Sequence, residues 1–242
     1  MFNYKLTIEY DGKDFNGWQR QKNTVNTIQE ILESSLTNIL RENISVIGSG
    51  RTDTGVHALN QVANFKFERQ FDNQKVLYSL NSVLPKTITV KNIKRVPLNF
   101  HARYSALKRE YKYQVTFEKR SIGADYFYKL NYELDYRLID EFIEILKGNH
   151  SFKSLCKNQT DKNDFLCNIL VLKYVLNKSE LVFNIIANRF LHSMVRATIG
   201  CLIDIGRGKL DFNKTKKEFE KGDKIRALYL PGNALFLKKI YY

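Results

Sequence analysis

Apolar and polar residues alternate with period two along Tyr4-Lys-Leu-Thr-Ile-Glu-Tyr10. That period sets one side of an extended segment against a core and the other toward water. The period then lengthens. Val25, Ile28, Leu32, Leu36, Ile39 and Leu40 recur at helical spacing, with Thr27 and Glu30 as a capping box and Thr24 as the other candidate start. A short strand over 44–47, a glycine-rich loop and an alternating strand over 61–67 follow. Asp72 caps a second helix through Val76, Leu77, Leu80, Val83 and Leu84, which stops before Pro85. A strand over 87–96 completes a β-α-β-β-α-β order.

The second half reads as an expanded copy of that order. Residues 110–117 are strand-like, with Tyr111 and Tyr113 on one face and Lys112 on the other. Asp135 caps a helix carrying Leu138, Phe142, Ile145 and Leu146, and Gly148 ends it. Strands over 166–176 and 180–187 flank Asn177-Lys178-Ser179, a hairpin turn. A long helix is expected from Arg189 to Ile205, then a short basic helix from Asp211 and a strand over 235–240. Two split β-α-β units predict an α+β fold, an antiparallel sheet with helices on one face. No Pro/Ser-rich linker separates the halves, expected at 1–105 and 106–242.

Charge alters this picture more than composition does. The 242 residues carry 39 Lys plus Arg against 25 Asp plus Glu, a formal charge of +14. Such an excess suits a protein that holds a polyanion, although a merely soluble basic protein shows it too. Fourteen Tyr and sixteen Phe add flat faces for unstacked bases, most of them needed for the core. No apolar run reaches the roughly 18 residues of a membrane span, and the N-terminus lacks an export-signal core. Cys156, Cys167 and Cys201 show no C-x-x-C pairing, which fits reduced thiols in a cytoplasm.

Against this basic background, Gly48-Ser-Gly-Arg-Thr-Asp-Thr-Gly-Val-His-Ala58 isolates one acid. Asp53 is the only carboxylate between Glu42 and Glu68, and Gly48, Gly50 and Gly55 are expected to make left-handed turns around it. Arg51, two residues away, favours an ionised Asp53, ready as a nucleophile or ion-pairing group. Alternatively the string is a surface turn with an incidental ion pair. In the helix from 189, Arg189, His192, Arg196 and Gly200 form a polar stripe on an otherwise apolar cylinder. Such a stripe faces either an anion or solvent; Asp53 is an available partner for Arg196. Tyr111, in Lys108-Arg-Glu-Tyr-Lys-Tyr113, belongs to a base-stacking platform or to ordinary sheet packing. His57, His101 and His150 lack ligand-spaced partners, so no metal role is expected. No phosphate-binding or dinucleotide loop and no zinc-deaminase signature occurs, so the expected chemistry uses no cofactor.

Gly50-Arg-Thr-Asp-Thr-Gly-Val-His-Ala58 resembles the active-site signature of the tRNA pseudouridine synthase A family. Tyr10-Asp-Gly with Gly17-Trp-Gln-Arg-Gln, Phe100-His-Ala-Arg-Tyr, Arg109-Glu-Tyr-Lys-Tyr, and Asn188-Arg-Phe-Leu with Met194-Val-Arg agree in order across nearly the whole chain. The resemblance implies isomerisation of uridine to pseudouridine at positions about 38–40 of the tRNA anticodon arm. It makes Asp53 the catalytic carboxylate, and Tyr111 the ring stacked on the flipped base with a part in proton transfer. Arg196 would pair with Asp53, and Arg51 would fill the vacated base position or hold its phosphate. It further implies two ferredoxin-like (RRM-like) halves in one continuous antiparallel sheet about a central basic cleft, working as a homodimer. Where the family shows Pro-Ala-x-Gly-Leu, this chain has Pro231-Gly-Asn-Ala-Leu235, so Leu235 takes the place of an apolar wall behind an altered turn. Competing readings are a non-catalytic RNA-binding module, which leaves an acid in a basic loop unexplained, and a metal-dependent nuclease, which needs clustered acids.

Overall fold

Period-two alternation at the N-terminus becomes β1 (Phe2–Tyr10), whose Tyr4, Leu6, Ile8 and Tyr10 are all buried. The structure, a computed structural model, describes residues 1–157 and 164–242. These divide into two compact units: Met1–Leu107 with Phe236–Tyr242, and Lys108–Leu235. The fold is mixed α+β, with ten strands and five α-helices among the described residues.

In the first unit, α1 (Ile28–Leu40) starts at Thr27, whose hydroxyl accepts from the Glu30 N–H at 3.3 Å. Val25 therefore lies outside the helix and is exposed, while Ile28, Leu32 and Leu36 are fully buried. The strand expected over 44–47 is reduced to β2 (Ile47–Gly48), and β3 (His57–Phe67) begins four residues earlier than the alternation indicates. Asp72 caps α2 (Asn73–Val83) by accepting from the N–H groups of Gln74 and Lys75. Next comes β4 (Ile88–Val96). β1 lies antiparallel between β3 and β4, so that Leu6 faces Ala63 on one side and Ile93 on the other. β2 pairs antiparallel with β3.

The second unit contains β5 (Lys108–Thr116), β6 (Tyr128–Lys129), α3 (Tyr136–Leu146), β7 (Gly148–Ser151), β8 (Leu166–Leu176), β9 (Glu180–Ala187), α4 (Met194–Gly206) and α5 (Phe212–Lys221). Its sheet runs β5-β9-β8-β7, with β6 parallel to β5. β6 and β7 are too short to leave a periodic signal. The Asn177 carboxamide closes the β8–β9 hairpin by accepting from Ser179 and Glu180 N–H groups. The buried face of α3 is Ile139, Phe142, Ile143 and Leu146, rotated from the expected one because Leu138 and Ile145 sit at its margins.

The helix expected from Arg189 corrects more deeply. α4 starts at Met194, after Ser193 in the left-handed region (φ 56°). Arg189 and His192 thus leave the helix, and Arg189 forms an ion pair with Asp164 instead. Within α4 every residue is buried except Arg196.

The last strand, β10 (Leu235–Tyr241), runs parallel to β3, with Phe236 opposite His57 and Leu237 opposite Ala58. The two parallel pairings, β10–β3 and β6–β5, depart from the purely antiparallel sheet expected of the sequence. No helix among the described residues is long and apolar enough to cross a membrane.

Candidate active site

The Asp53 loop is assembled by the segment that precedes α1. The Trp18 N–H donates to the Thr52 carbonyl at 3.1 Å, and the Gly55 N–H donates to the Phe15 carbonyl at 3.4 Å. Two glycines permit this approach. A Cβ on Gly12 would lie 2.0 Å from the Val56 carbonyl oxygen, and one on Gly17 would lie 2.7 Å from that of Thr52. Of the three glycines expected in left-handed turns, only Gly55 (φ 76°) has one. Gly48 answers to crowding instead: a Cβ there would lie 2.5 Å from the Trp18 ring.

Within the loop Thr52 is buried, Asp53 half-buried and Arg51 exposed. The Arg51 Nε donates to Gln19 Oε1 at 2.9 Å, and Gln19 Nε2 donates to Gln29 Oε1 on α1 at 2.8 Å. A relay of two amides therefore aims the guanidinium from a helix. Gln29 is in turn tied to the buried Glu33 and to the Val46 carbonyl. His57 is buried, as a core histidine would be. Its Nδ1 accepts from the Gly12 N–H at 3.0 Å and lies 2.9 Å from Asp11 Oδ1. A nitrogen that accepts from Gly12 cannot also donate to Asp11, so a single tautomer satisfies one contact only.

In the second unit Tyr111 is buried on β5, opposite Ile185 of β9, and meets the Phe190 ring edge-on at 5.2 Å. Tyr113, two residues on, shares that face and donates from its hydroxyl to the Pro231 carbonyl at 3.1 Å. Burial raises the Tyr113 pKa well above the ordinary phenol, outweighing the opposing Arg196 charge, so the hydroxyl keeps its proton. The Arg196 Nε donates to the Leu230 carbonyl at 2.5 Å. Both groups grip the segment that leads to Leu235, which is 5% exposed. α4 abuts this segment closely, since a Cβ on Gly200 would lie 1.7 Å from the Leu228 carbonyl oxygen. Ala234, in place of the expected glycine, takes no positive φ, so no glycine is required there.

The sequence model of the tRNA pseudouridine synthase family matches residues 6–105 and 142–242. The chain belongs to the tRNA pseudouridine synthase family. Among curated members, the tRNA pseudouridine synthase A of Chlorobium luteolum is 37% identical over 243 residues, covering 100% of this chain and 96% of that one. The same-named protein of Bacteroides thetaiotaomicron is 39% identical over 246 residues, covering 100% and 91%. A solved Cbf5-Nop10-Gar1 complex aligns with a TM-score of 0.37 at 9% identity over 83% of this chain and 44% of that chain, too remote to carry an inference. The family model takes in Arg51, Asp53, Arg196 and Leu235, whereas Tyr111 falls between its matched segments.

Several residues packed around the Asp53 loop leave little trace in the sequence pattern. Tyr10-Asp11-Gly12 and Gly17-Trp18-Gln19 match family segments without an evident role, and both prove to be packed on the Asp53 loop. Gln29 and Glu33 sit on α1 at polar positions that pattern alone assigns to solvent, yet both are buried. Their signal is the capped helix itself, which turns that face toward Val46 and the loop. Among the described residues, no group of three or more His, Cys, Asp or Glu is placed to hold a metal ion.

Proposed function

We propose that this chain isomerises uridine to pseudouridine at positions 38, 39 and 40 in the anticodon arm of tRNA, as a cytoplasmic homodimer without a cofactor. The observation that carries this reading is the family match, which includes the Asp53 loop and α4. The C1′–N1 bond breaks, the uracil turns, and a C1′–C5 bond forms while the C5 proton is lost and N1 gains one. Bonds broken and formed balance, so no external energy source is required.

In this scheme Asp53 supplies the nucleophilic carboxylate, toward C1′ of the ribose or C6 of the base. Tyr111 stacks on the extruded uracil, and Arg196 pairs with Asp53. Arg51 enters the vacated position or holds its phosphate, and Leu235 provides an apolar wall. Extruding a base costs a few kcal/mol of stacking, which contacts from a basic surface offset. The antiparallel order β4-β1-β3, with β2 on β3, supports the ferredoxin-like reading of the first half. We take the second half as its counterpart, the two sharing one sheet about a basic cleft with helices on one face.

Tritium release from C5-labelled uridine in tRNA tests the reaction directly. The intact protein should release label from substrate tRNA, and Asp53→Ala should lower the rate at least 1,000-fold, an order typical of losing an essential reacting group. Undiminished release by Asp53→Ala would refute the mechanism. Binding without release by the intact protein would instead favour the non-catalytic RNA-binding module.

A further inference from the structure

Beneath the Asp53 loop, Tyr10, Ser49, Thr52 and Gln61 are 3%, 1%, 6% and 0% exposed, and the reaction scheme uses none of them. Gln61 projects from β3. Its Oε1 accepts from Ser49 Oγ at 2.6 Å and from the Val62 N–H at 3.2 Å, which fixes the orientation of the amide. Its Nε2 donates to the Gly50 carbonyl at 3.0 Å and reaches the Tyr10 hydroxyl at 3.4 Å. That hydroxyl also shares a hydrogen bond with Thr52 Oγ1 at 2.8 Å. Ser49, Gly50 and Thr52 are thus held from two strands, on both sides of Arg51 and immediately before Asp53.

A sheet of this kind needs no polar groups at these positions to stay folded, and buried polar groups are costly unless each finds a partner. What a satisfied network adds is a fixed geometry. We propose that Tyr10 and Gln61 are positioning residues, which set the Arg51-Thr52-Asp53 backbone for the isomerisation through their hydrogen bonds to Thr52 and Gly50. The proposal rests on the reading of Asp53 as the reacting carboxylate. Burial pushes the Tyr10 pKa up to about 12, against the opposing hydrogen bonds from Thr52 and Gln61. The phenol therefore keeps its proton, and the network stays neutral, throughout the neutral range. Backbone bonds from Ser49 N–H to the Val62 carbonyl and from Trp18 N–H to the Thr52 carbonyl survive removal of a hydroxyl. Loss of the network should accordingly loosen the loop without unfolding the sheet.

The test compares Tyr10→Phe, Thr52→Val and the double variant in the full chain, with tritium release, tRNA KM and thermal unfolding measured in parallel. Tyr10→Phe should lower kcat about 10- to 100-fold, the cost of misplacing a reacting group by a fraction of an ångström to an ångström. KM should stay within about twofold. Because both hydroxyls act through one hydrogen bond, the double variant should lose little more than the worse single one. An unchanged kcat per folded molecule in Tyr10→Phe and Thr52→Val would overturn the proposal, as would fully multiplicative losses in the double variant. Activity in Asp53→Ala would defeat the underlying reaction scheme. An inert Asp53→Ala beside an unimpaired Tyr10→Phe would defeat the positioning role alone.

Discussion

A glycine in the sequence announces either a special backbone angle or a missing Cβ, and only the structure separates the two. Gly17 needs both, with φ at 89° and the Thr52 carbonyl 2.7 Å from where a Cβ would stand. Gly17→Ala should destabilise the protein by about 1–3 kcal/mol, the usual cost of a residue held in a sparsely populated backbone region, and should also slow the reaction, because the atom displaced belongs to the residue before Asp53. Gly50 makes the contrasting case: it has no positive φ, and among the described residues nothing beyond its chain neighbours lies within 4 Å of where a Cβ would stand. Gly50→Ala should shift stability by less than about 0.5 kcal/mol. Urea unfolding of both variants checks the pair, and a Gly50→Ala loss as large as that of Gly17→Ala would contradict it. Asp53 itself was legible as a lone acid in a basic chain. Gln19, Gln29 and Gln61 were not, because an amide's role depends on what surrounds it in space and leaves no periodic trace.

Among the elements, caps and hairpins were the most readable, because their signals are local. Thr27, Asp72 and Asp135 all cap the helices that they were expected to start. The beginning of α4 was not readable. Phe190 and Leu191 continue its apolar period across a non-helical turn, where the Met194 N–H donates to the Leu191 carbonyl and Ser193 is left-handed. Periodicity records burial, and residues on both sides of that turn have apolar surroundings. The far end of α4 depends on Asp204, a fully buried carboxylate. It receives Arg207 at 2.6 Å and the Leu228 N–H at 3.0 Å, with the Lys209 ammonium at 3.6 Å. Asp204→Asn should destabilise the protein by about 3 kcal/mol, the lower end for breaking a buried ion pair, since Arg207 and Lys209 retain some access to water. It should also free the 228–230 segment that Arg196 grips. A urea midpoint close to that of the parent protein would show that the carboxylate is dispensable.

At the scale of the whole molecule, the net charge was legible by counting, whereas the path of the C-terminus was not. Chain order assigns the final strand to the second half, yet Phe236–Tyr242 groups with Met1–Leu107. Strand pairing between residues so far apart in sequence leaves no local signature. The consequence is that the first unit is completed by the last residues of the chain. Leu237 and Ile240 are buried in it, and Phe236 stacks on His57 at 4.6 Å. The Asn60 side chain donates to the Lys238 carbonyl at 2.9 Å, the Leu107 N–H to Tyr241 at 2.8 Å, and the Tyr242 hydroxyl to the Ala102 carbonyl at 2.8 Å. Ending the chain after Leu235 removes three buried apolar side chains at about 1.5–3 kcal/mol each and leaves an edge of β3 unpaired. That loss is comparable to the roughly 5–15 kcal/mol by which a whole domain is stable. At about 2–4 °C per kcal/mol for a chain of this size, the melting temperature should fall by at least ~10 °C. Tyr242→Phe gives the scale of one hydrogen bond, about 1 kcal/mol, and should barely move it. A truncated protein that melts with the intact one would show that β10 is peripheral to the first unit, and with it the support beneath His57.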